Sequence, residues 1–184
     1  MDTFHPPPGY ADSPPLIRPR GRVLDLAAGG GRHTALLREH RYQVTAVDRD
    51  ISALAAAFAD DPGCAIRTLD LEDGAACALG QDYDGIVVAN YLHRPLFPAL
   101  IAALAPGGIL LYETFAAGNE RFGRPSNPEL LLRPGELLAA FGTALTVIAF
   151  EQGVVDQPRP AVVQRIAAAK GSSPLPLPPA AASA

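Results

Sequence analysis

The residues best suited to chemistry in this chain stand just after short apolar runs. Asp25-Leu26-Ala27-Ala28-Gly29-Gly30-Gly31-Arg32 carries the first group, between the run Arg22 to Leu26 and a helical pattern beginning near Arg32. Glycines at such a junction allow a tight turn, let a ligand approach the backbone and leave the N–H groups of the helix start facing an anion. A structural turn needs one glycine, whereas three in succession favour a ligand loop. Asp48 follows the run Gln43 to Val47, where a carboxylate can accept both hydroxyls of a ribose. Acids at strand ends also cap helices, but Asp50 is better placed for that, which leaves Asp48 for a ligand. Asp70-Leu71-Glu72 follows the run Cys64 to Leu69, and Asn90-Tyr91-Leu92-His93 follows Tyr83 to Ala89. Four consecutive strand ends thus carry groups suited to a nucleoside with a charged appendage.

Strands alternating with helices must position these groups. After the run Gln43 to Val47, the residues Ile51, Leu54, Ala55 and Phe58 mark one face of a helix. Leu96, Phe97, Leu100, Ile101 and Leu104 mark another, which Pro106-Gly107-Gly108 closes. Ile109 to Phe115 is a fifth strand, followed by a polar excursion and a short helix with Pro134 at its start. Strands near Ala144 to Glu151 and Ala161 to Ala168 complete the pattern. Such alternation predicts an α/β fold, a parallel sheet with helices on both faces and right-handed crossovers. Ligands then bind beyond the carboxyl ends of the strands, at the switch point.

The composition agrees with one such domain. The chain has 184 residues, 48% hydrophobic and 18% charged, which excludes disorder throughout its length. A net charge of −4, from 15 Lys+Arg against 19 Asp+Glu, argues against DNA as partner, since phosphate binding draws on clustered Lys and Arg. Cys64 and Cys77 lack the spacing of a disulfide framework or zinc site and read as buried, reduced thiols; no metal is expected. With no apolar span long enough for a membrane and no basic leader before an apolar run, a soluble cytoplasmic protein is expected. Prolines crowd the ends, so residues 1–20 read as a Pro-rich segment, 21–170 as the domain and 171–184 as a disordered Pro/Ala tail. Phe4, Tyr10, Leu16 and Ile17 in the head could pack across the domain or close over a site; a flexible leader is the alternative.

VLDLAAGGGR (Val23 to Arg32), VTAVDRD (Val44 to Asp50), DLED (Asp70 to Asp73), YDGIVVANYLH (Tyr83 to His93) and LAPGGILLYETF (Leu104 to Phe115) occur in the order of the successive motifs of one family. In them the chain resembles the class I S-adenosylmethionine-dependent methyltransferases, and within these the small bacterial enzymes of the tellurite-resistance and thiopurine methyltransferase kind. The resemblance implies a Rossmann-like, doubly wound, mostly parallel seven-stranded sheet with an antiparallel last strand. It also implies S-adenosylmethionine as cofactor and S-adenosylhomocysteine as product. Asp25, Ala27, Gly29 and Gly31 would surround the methionine moiety, Asp48 would hold the ribose and Arg49 would lie along the adenine. Asp70 would accept from the adenine amino group, Leu71 would offer a backbone donor, and Asn90 would sit near the reacting centre. Ala27 stands where the commonest family pattern has its first glycine.

The residues weigh against a nicotinamide cofactor independently. A G-x-G-x-x-G/A fingerprint read from Gly29 would need Gly or Ala where Thr34 stands. A cationic sulfonium and ammonium would instead welcome the carboxylate of Asp25. Tyr91 and His93 are the candidate catalytic residues, needed as a base only if the acceptor is protonated; His93 reads equally as a capping or packing residue. Glu113, in the fifth strand, could equally pair with an arginine. The excursion Ala116 to Arg133 is the expected acceptor side, with Arg121 and Arg124 able to bind an anionic acceptor or simply to be solvated. No Asp/Asn-Pro-Pro-Tyr run and no Pro-Cys nucleophile follows the fourth strand, so a small-molecule acceptor is expected. A non-catalytic cofactor-binding subunit and an NAD-dependent oxidoreductase remain the alternatives, and the sequence sets no oligomeric state.

Overall fold

The computed structural model describes residues 16–73 and 79–171. Phe4, Tyr10, Cys77 and the expected tail beyond Gly171 therefore lie outside the described residues. Seven strands form one sheet: β1 (Arg22–Leu26), β2 (Gln43–Asp48), β3 (Cys64–Thr68), β4 (Tyr83–Ala89), β5 (Leu104–Phe115), β6 (Thr146–Val155) and β7 (Ala161–Ala169), in the order β3-β2-β1-β4-β5-β7-β6. Neighbours from β3 to β5 pair in parallel, while β7 runs antiparallel to both β5 and β6. The helices are α1 (Arg32–Glu39), α2 (Ser52–Phe58), α3 (Phe97–Ala103) and α4 (Glu136–Phe141).

The central strands are apolar at nearly every position because both faces are covered. Leu24, Ile86, Leu110 and Tyr112 point into one core with Leu100 of α3 and Leu137 and Phe141 of α4. Their neighbours Val23, Val87 and Ile109 point into the other, with Leu37 of α1 and Leu54 of α2. In the first core Phe97, Tyr112 and Phe141 stack with ring centroids 5.1–6.0 Å apart.

Part of the proline-rich head belongs to this architecture. Ile17 is buried in the second core, and its carbonyl accepts from the Tyr42 hydroxyl. It rests on Gly85 of β4, where a Cβ would stand 2.5 Å from the Ile17 side chain, so any larger residue would expel it.

Three expectations change. Leu104 opens β5 instead of ending α3, and Pro106-Gly107-Gly108 lies inside the strand, where the register against β4 shifts between Tyr83 and Gly85. The shift is accommodated because Gly107 N–H donates to the Lys170 carbonyl and Lys170 N–H to that of Gly108, past the end of β7. β6 begins later and runs four residues past Glu151, since each of these residues finds a partner on β7 or at its start. Cys64 is half-buried, not buried, because β3 is an edge strand; desolvation still pushes its thiol up and keeps it protonated. Among the described residues no helix is long and apolar enough to cross a membrane, and no group of three His, Cys, Asp or Glu could hold a metal ion.

Candidate active site

The strand order reverses between β1 and β4, and their carboxyl ends stand side by side. Each ends in a non-glycine residue with left-handed backbone, Ala27 at φ 54° and Asn90 at φ 56°. Such conformations cost about 1–2 kcal/mol for a residue with a Cβ and gather where function demands them. Replacing Ala27 by Gly relieves the strain, partly offset by glycine's larger entropy loss of about 0.5–1 kcal/mol. The Ala27→Gly variant is therefore expected to melt a few degrees higher, and an unchanged or lower midpoint would refute the strain.

Between these strand ends and α1, the glycines serve different purposes. Gly31 has φ 78°, and a Cβ on it would meet Phe58 at 2.7 Å and Leu54 at 3.0 Å, so α2 requires this glycine for packing. A Cβ on Gly29 or Gly30 would have nothing within 4 Å. Gly30 has neither a positive φ nor a crowding neighbour, so neither packing nor a left-handed backbone calls for glycine there.

Asp48 organises this loop. One carboxylate oxygen accepts from Gly29 N–H at 2.8 Å and the other from Asp50 N–H at 3.1 Å. Each oxygen keeps a second lone pair for a ligand hydroxyl. Asp50 meanwhile accepts from both the N–H and the hydroxyl of Ser52, the first residue of α2, although Ile51 and not Asp50 stands at the N-cap; those bonds hold its carboxyl below the usual range. Beside Asp48 opens a cleft of about 220 Å³. Ala27, Asp48 and Arg49 form one side of it, Leu69 to Glu72 the other, and Tyr91 closes it, donating to Glu72 at 3.3 Å. Asp70 accepts from Glu72 N–H, while Leu71 belongs to the core beneath.

Asp25 lies deeper, 1% exposed, where the Thr34 hydroxyl donates to it at 2.6 Å. Burial raises its carboxyl to about 6 against the bonds from Thr34. Since the unfolded value is 3.8, the folded chain binds this proton more tightly. Asp25 thus favours folding more as pH falls through 6. Glu136 works in the opposite sense. Burial acts to raise it, but bonds from Arg94 and Arg133 outweigh that and hold it at about 2, so its contribution is lost below 4.5. Stability should therefore peak near pH 5 in a thermal-melt series, and Asp25→Asn should flatten the limb between pH 5 and 7. Equal slopes in both proteins over that limb would refute the assignment.

A second cleft, of about 180 Å³, lies beyond Asn90, between the ends of β4 and β5 and the β6–β7 hairpin. Arg32, Arg159 and Arg165 line it together with Glu113. Arg165 faces Glu113 on β5 and Glu151 on β6 in direct register and bridges both. Glu113 is thus paired with an arginine, and burial raises its carboxyl against the pull of Arg165.

Ala27, Asp48, Arg49, Asp70, Leu71 and Tyr91 come together in the first cleft and Asn90 lines the second. Asp25, Gly29, Gly31, His93, Arg121 and Arg124 line neither. His93 is half-buried at the start of a short 3-10 turn, where its carbonyl accepts from Leu96 N–H. Arg121 donates to the Gly118 carbonyl and lies over the Phe122 ring, and both Arg121 and Arg124 are exposed. Asn119 of the same excursion is structural: it is 1% exposed, donates to the Pro125 carbonyl and accepts from Val162 N–H.

Solved structures share this architecture closely. TehB from Haemophilus influenzae superposes with a TM-score of 0.70 at 18% identity, over 85% of this chain and 59% of that one. The N-methyltransferase NodS from Bradyrhizobium japonicum gives 0.67 at 17%, over 85% and 91%. An S-adenosylmethionine-dependent methyltransferase from Mesorhizobium loti gives 0.67 at 22%, over 89% and 96%. The fold is that of the class I methyltransferases. No protein-family model matches the chain. Two curated relatives, both named ribosomal RNA small subunit methyltransferase H, match shorter stretches. The one from Picosynechococcus is 36% identical over 75 residues, and that from Gemmatimonas aurantiaca 44% over 55. These stretches span 39% and 30% of this chain but only 26% and 18% of the relatives. The first cleft brings together Asp48 and Asp70, two of the strand-end acids singled out in the sequence. The second cleft was not foreseen; its arginines come from distant segments with no shared spacing.

Proposed function

We propose that the chain is an S-adenosylmethionine-dependent methyltransferase that moves a methyl group to a small-molecule nucleophile by in-line displacement. The observation that carries this reading is the first cleft, where an oriented carboxylate at the end of β2 stands beside a loop with open space over Gly29 and Gly30. The residues present fit the nucleoside. Asp48 offers lone pairs to the ribose diol, Leu69 and Leu71 an apolar wall to the base, and Asp70 an acceptor for its amino group. Arg49 borders the same cleft, and Asp25 places negative charge beneath the glycine loop, where an ammonium is stabilised. The sulfonium of the bound cofactor supplies an already activated methyl group.

The protein's own task is alignment and exclusion of water, and positioning of this kind can be worth several kcal/mol. Asn90, held by the bond from its N–H to the Glu113 carbonyl, lines the second cleft and can orient a group there. Its left-handed backbone is preset for that task.

Calorimetric titration of the whole chain with S-adenosylmethionine, S-adenosylhomocysteine and NAD tests the cofactor. Micromolar binding of the first two and none of NAD is expected, with a matching rise in melting temperature. Binding of NAD alone would overturn the reading in favour of an oxidoreductase. Binding without transfer of labelled methyl to any small acceptor would point to a non-catalytic subunit.

A further inference from the structure

We infer that the second cleft is the acceptor site and that it takes a small molecule anchored by an anionic group between Arg32 and Arg159. The word acceptor rests on the methyltransferase reading above; the anion site rests on the cleft alone.

Of the three arginines lining the cleft, Arg165 is neutralised by its bridges to Glu113 and Glu151. Arg32 and Arg159 enter no ion pair among the described residues, although Arg32 is near enough to Asp25 and Glu113 to act on both carboxyls, so two guanidinium groups line one space without a direct ion-pair partner. Arg32 opens α1, whose first N–H groups add positive potential on the same side. Arg159 comes from the turn between β6 and β7, across the cleft. A guanidinium presents a planar fork of donors that matches a carboxylate or similar oxyanion. Phe115, Val155 and Val163 give the same cleft an apolar lining. The complementary ligand is therefore amphiphilic, with an aromatic or aliphatic body and one oxyanion. The cleft has a volume of about 180 Å³, and benzoate, a flat aromatic body with one carboxylate, is the simplest ligand of this chemistry.

Neither Tyr91 nor His93 lines this cleft, and an acceptor whose reacting atom is itself ionised needs no general base. Arg121 and Arg124, the arginines singled out in the sequence, are outside it as well.

Benzoate is the probe. Calorimetric titration of the whole, nucleoside-free chain with sodium benzoate is expected to show saturable binding at one site. Arg159→Gln and Arg32→Gln should each weaken it more than tenfold, while Arg121→Gln/Arg124→Gln binds as the parent does. The Arg159→Gln variant should keep its affinity for S-adenosylhomocysteine and its melting temperature, which separates loss of the anion site from misfolding. Benzoate binding unchanged in Arg159→Gln, or lost only with Arg121 and Arg124, would overturn the inference. So would an Arg32→Gln effect confined to S-adenosylhomocysteine, which would assign that arginine to the cofactor's own carboxylate. Arginine-dependent benzoate binding by a chain that binds no S-adenosylhomocysteine would uphold the anion site and defeat the cofactor reading.

Discussion

Replacing Asp48 by Ala should lower the affinity for S-adenosylhomocysteine by about two to four orders of magnitude. Hydrogen bonds to a charged group are worth about 1.5–3 kcal/mol each, and a ribose diol makes two. The loss reaches past the ligand, because the same carboxylate holds Gly29 N–H and Asp50 N–H. Without it the glycine loop must be ordered at the moment of binding, which adds an entropic cost. Asp48→Asn separates the two contributions. Its amide oxygen can still accept one loop N–H, but the charge and half of the acceptor capacity are gone. An intermediate loss, about tenfold to a hundredfold, is expected for it. Calorimetry on the three proteins, with circular dichroism to confirm folding, reads the series. Affinity in Asp48→Ala within a few-fold of the parent would remove Asp48 from the site.

The largest effect on stability is expected from Arg165→Ala. Glu113, Arg165 and Glu151 stand in one register across β5, β7 and β6, so the guanidinium serves two carboxylates at once. Only 7% of the Glu113 side chain is exposed. Removing one partner of a buried pair leaves the other charge stranded, at a cost of about 3–5 kcal/mol. Total stability of a domain is only about 5–15 kcal/mol. The sign of the pH dependence follows from burial, which already raises the Glu113 carboxyl. Without Arg165 the rise is larger, and protonation then relieves the penalty in the folded chain. The destabilisation should therefore be greatest near pH 8 and shrink toward pH 5. Urea unfolding at the two pH values measures it, and a difference independent of pH would contradict a stranded carboxylate. The double variant Glu113→Leu/Arg165→Met, which removes both charges, should recover most of the loss.

Much of the first cleft's lining was legible in the sequence, though Asp25, Gly29 and Gly31 line neither cleft, and topology is the reason. In a parallel α/β sheet every strand carries its carboxyl end to the same edge, so Asp48, Asp70 and Tyr91 could be placed together from strand boundaries alone. The alternation of Val23 with Leu24 and of Ile86 with Val87 likewise announced two covered faces. Legibility stops where geometry depends on contacts between separated segments. Arg94 follows His93 in a stretch whose spacing reveals no partner. Its fork instead grips Glu136 at 2.6 and 3.1 Å and reaches the carbonyls of Glu129 and Leu131, stapling the polar excursion to the entrance of α3. Asn119 read as a polar loop residue because nothing in its neighbourhood reveals that Val162, far along the chain, covers it. Arg159 was invisible for the same reason. Its meaning depends on a hairpin folding back over Asn90, and antiparallel closure of that kind leaves no periodic trace.

The insertion of β7 between β5 and β6 also governs the order in which a ribosome can complete the protein. Strands β2 to β5 find a neighbour as they emerge, since each pairs with a strand made before it. β6 does not. It is synthesised first but has no partner until Ala161–Ala169 has left the exit tunnel, and until then β5 and β6 each offer a bare edge. Such edges are templates for unwanted pairing. The nascent chain is thus most exposed to aggregation in the interval between translation of β6 and of β7, and a pause in that interval would prolong its dependence on chaperones.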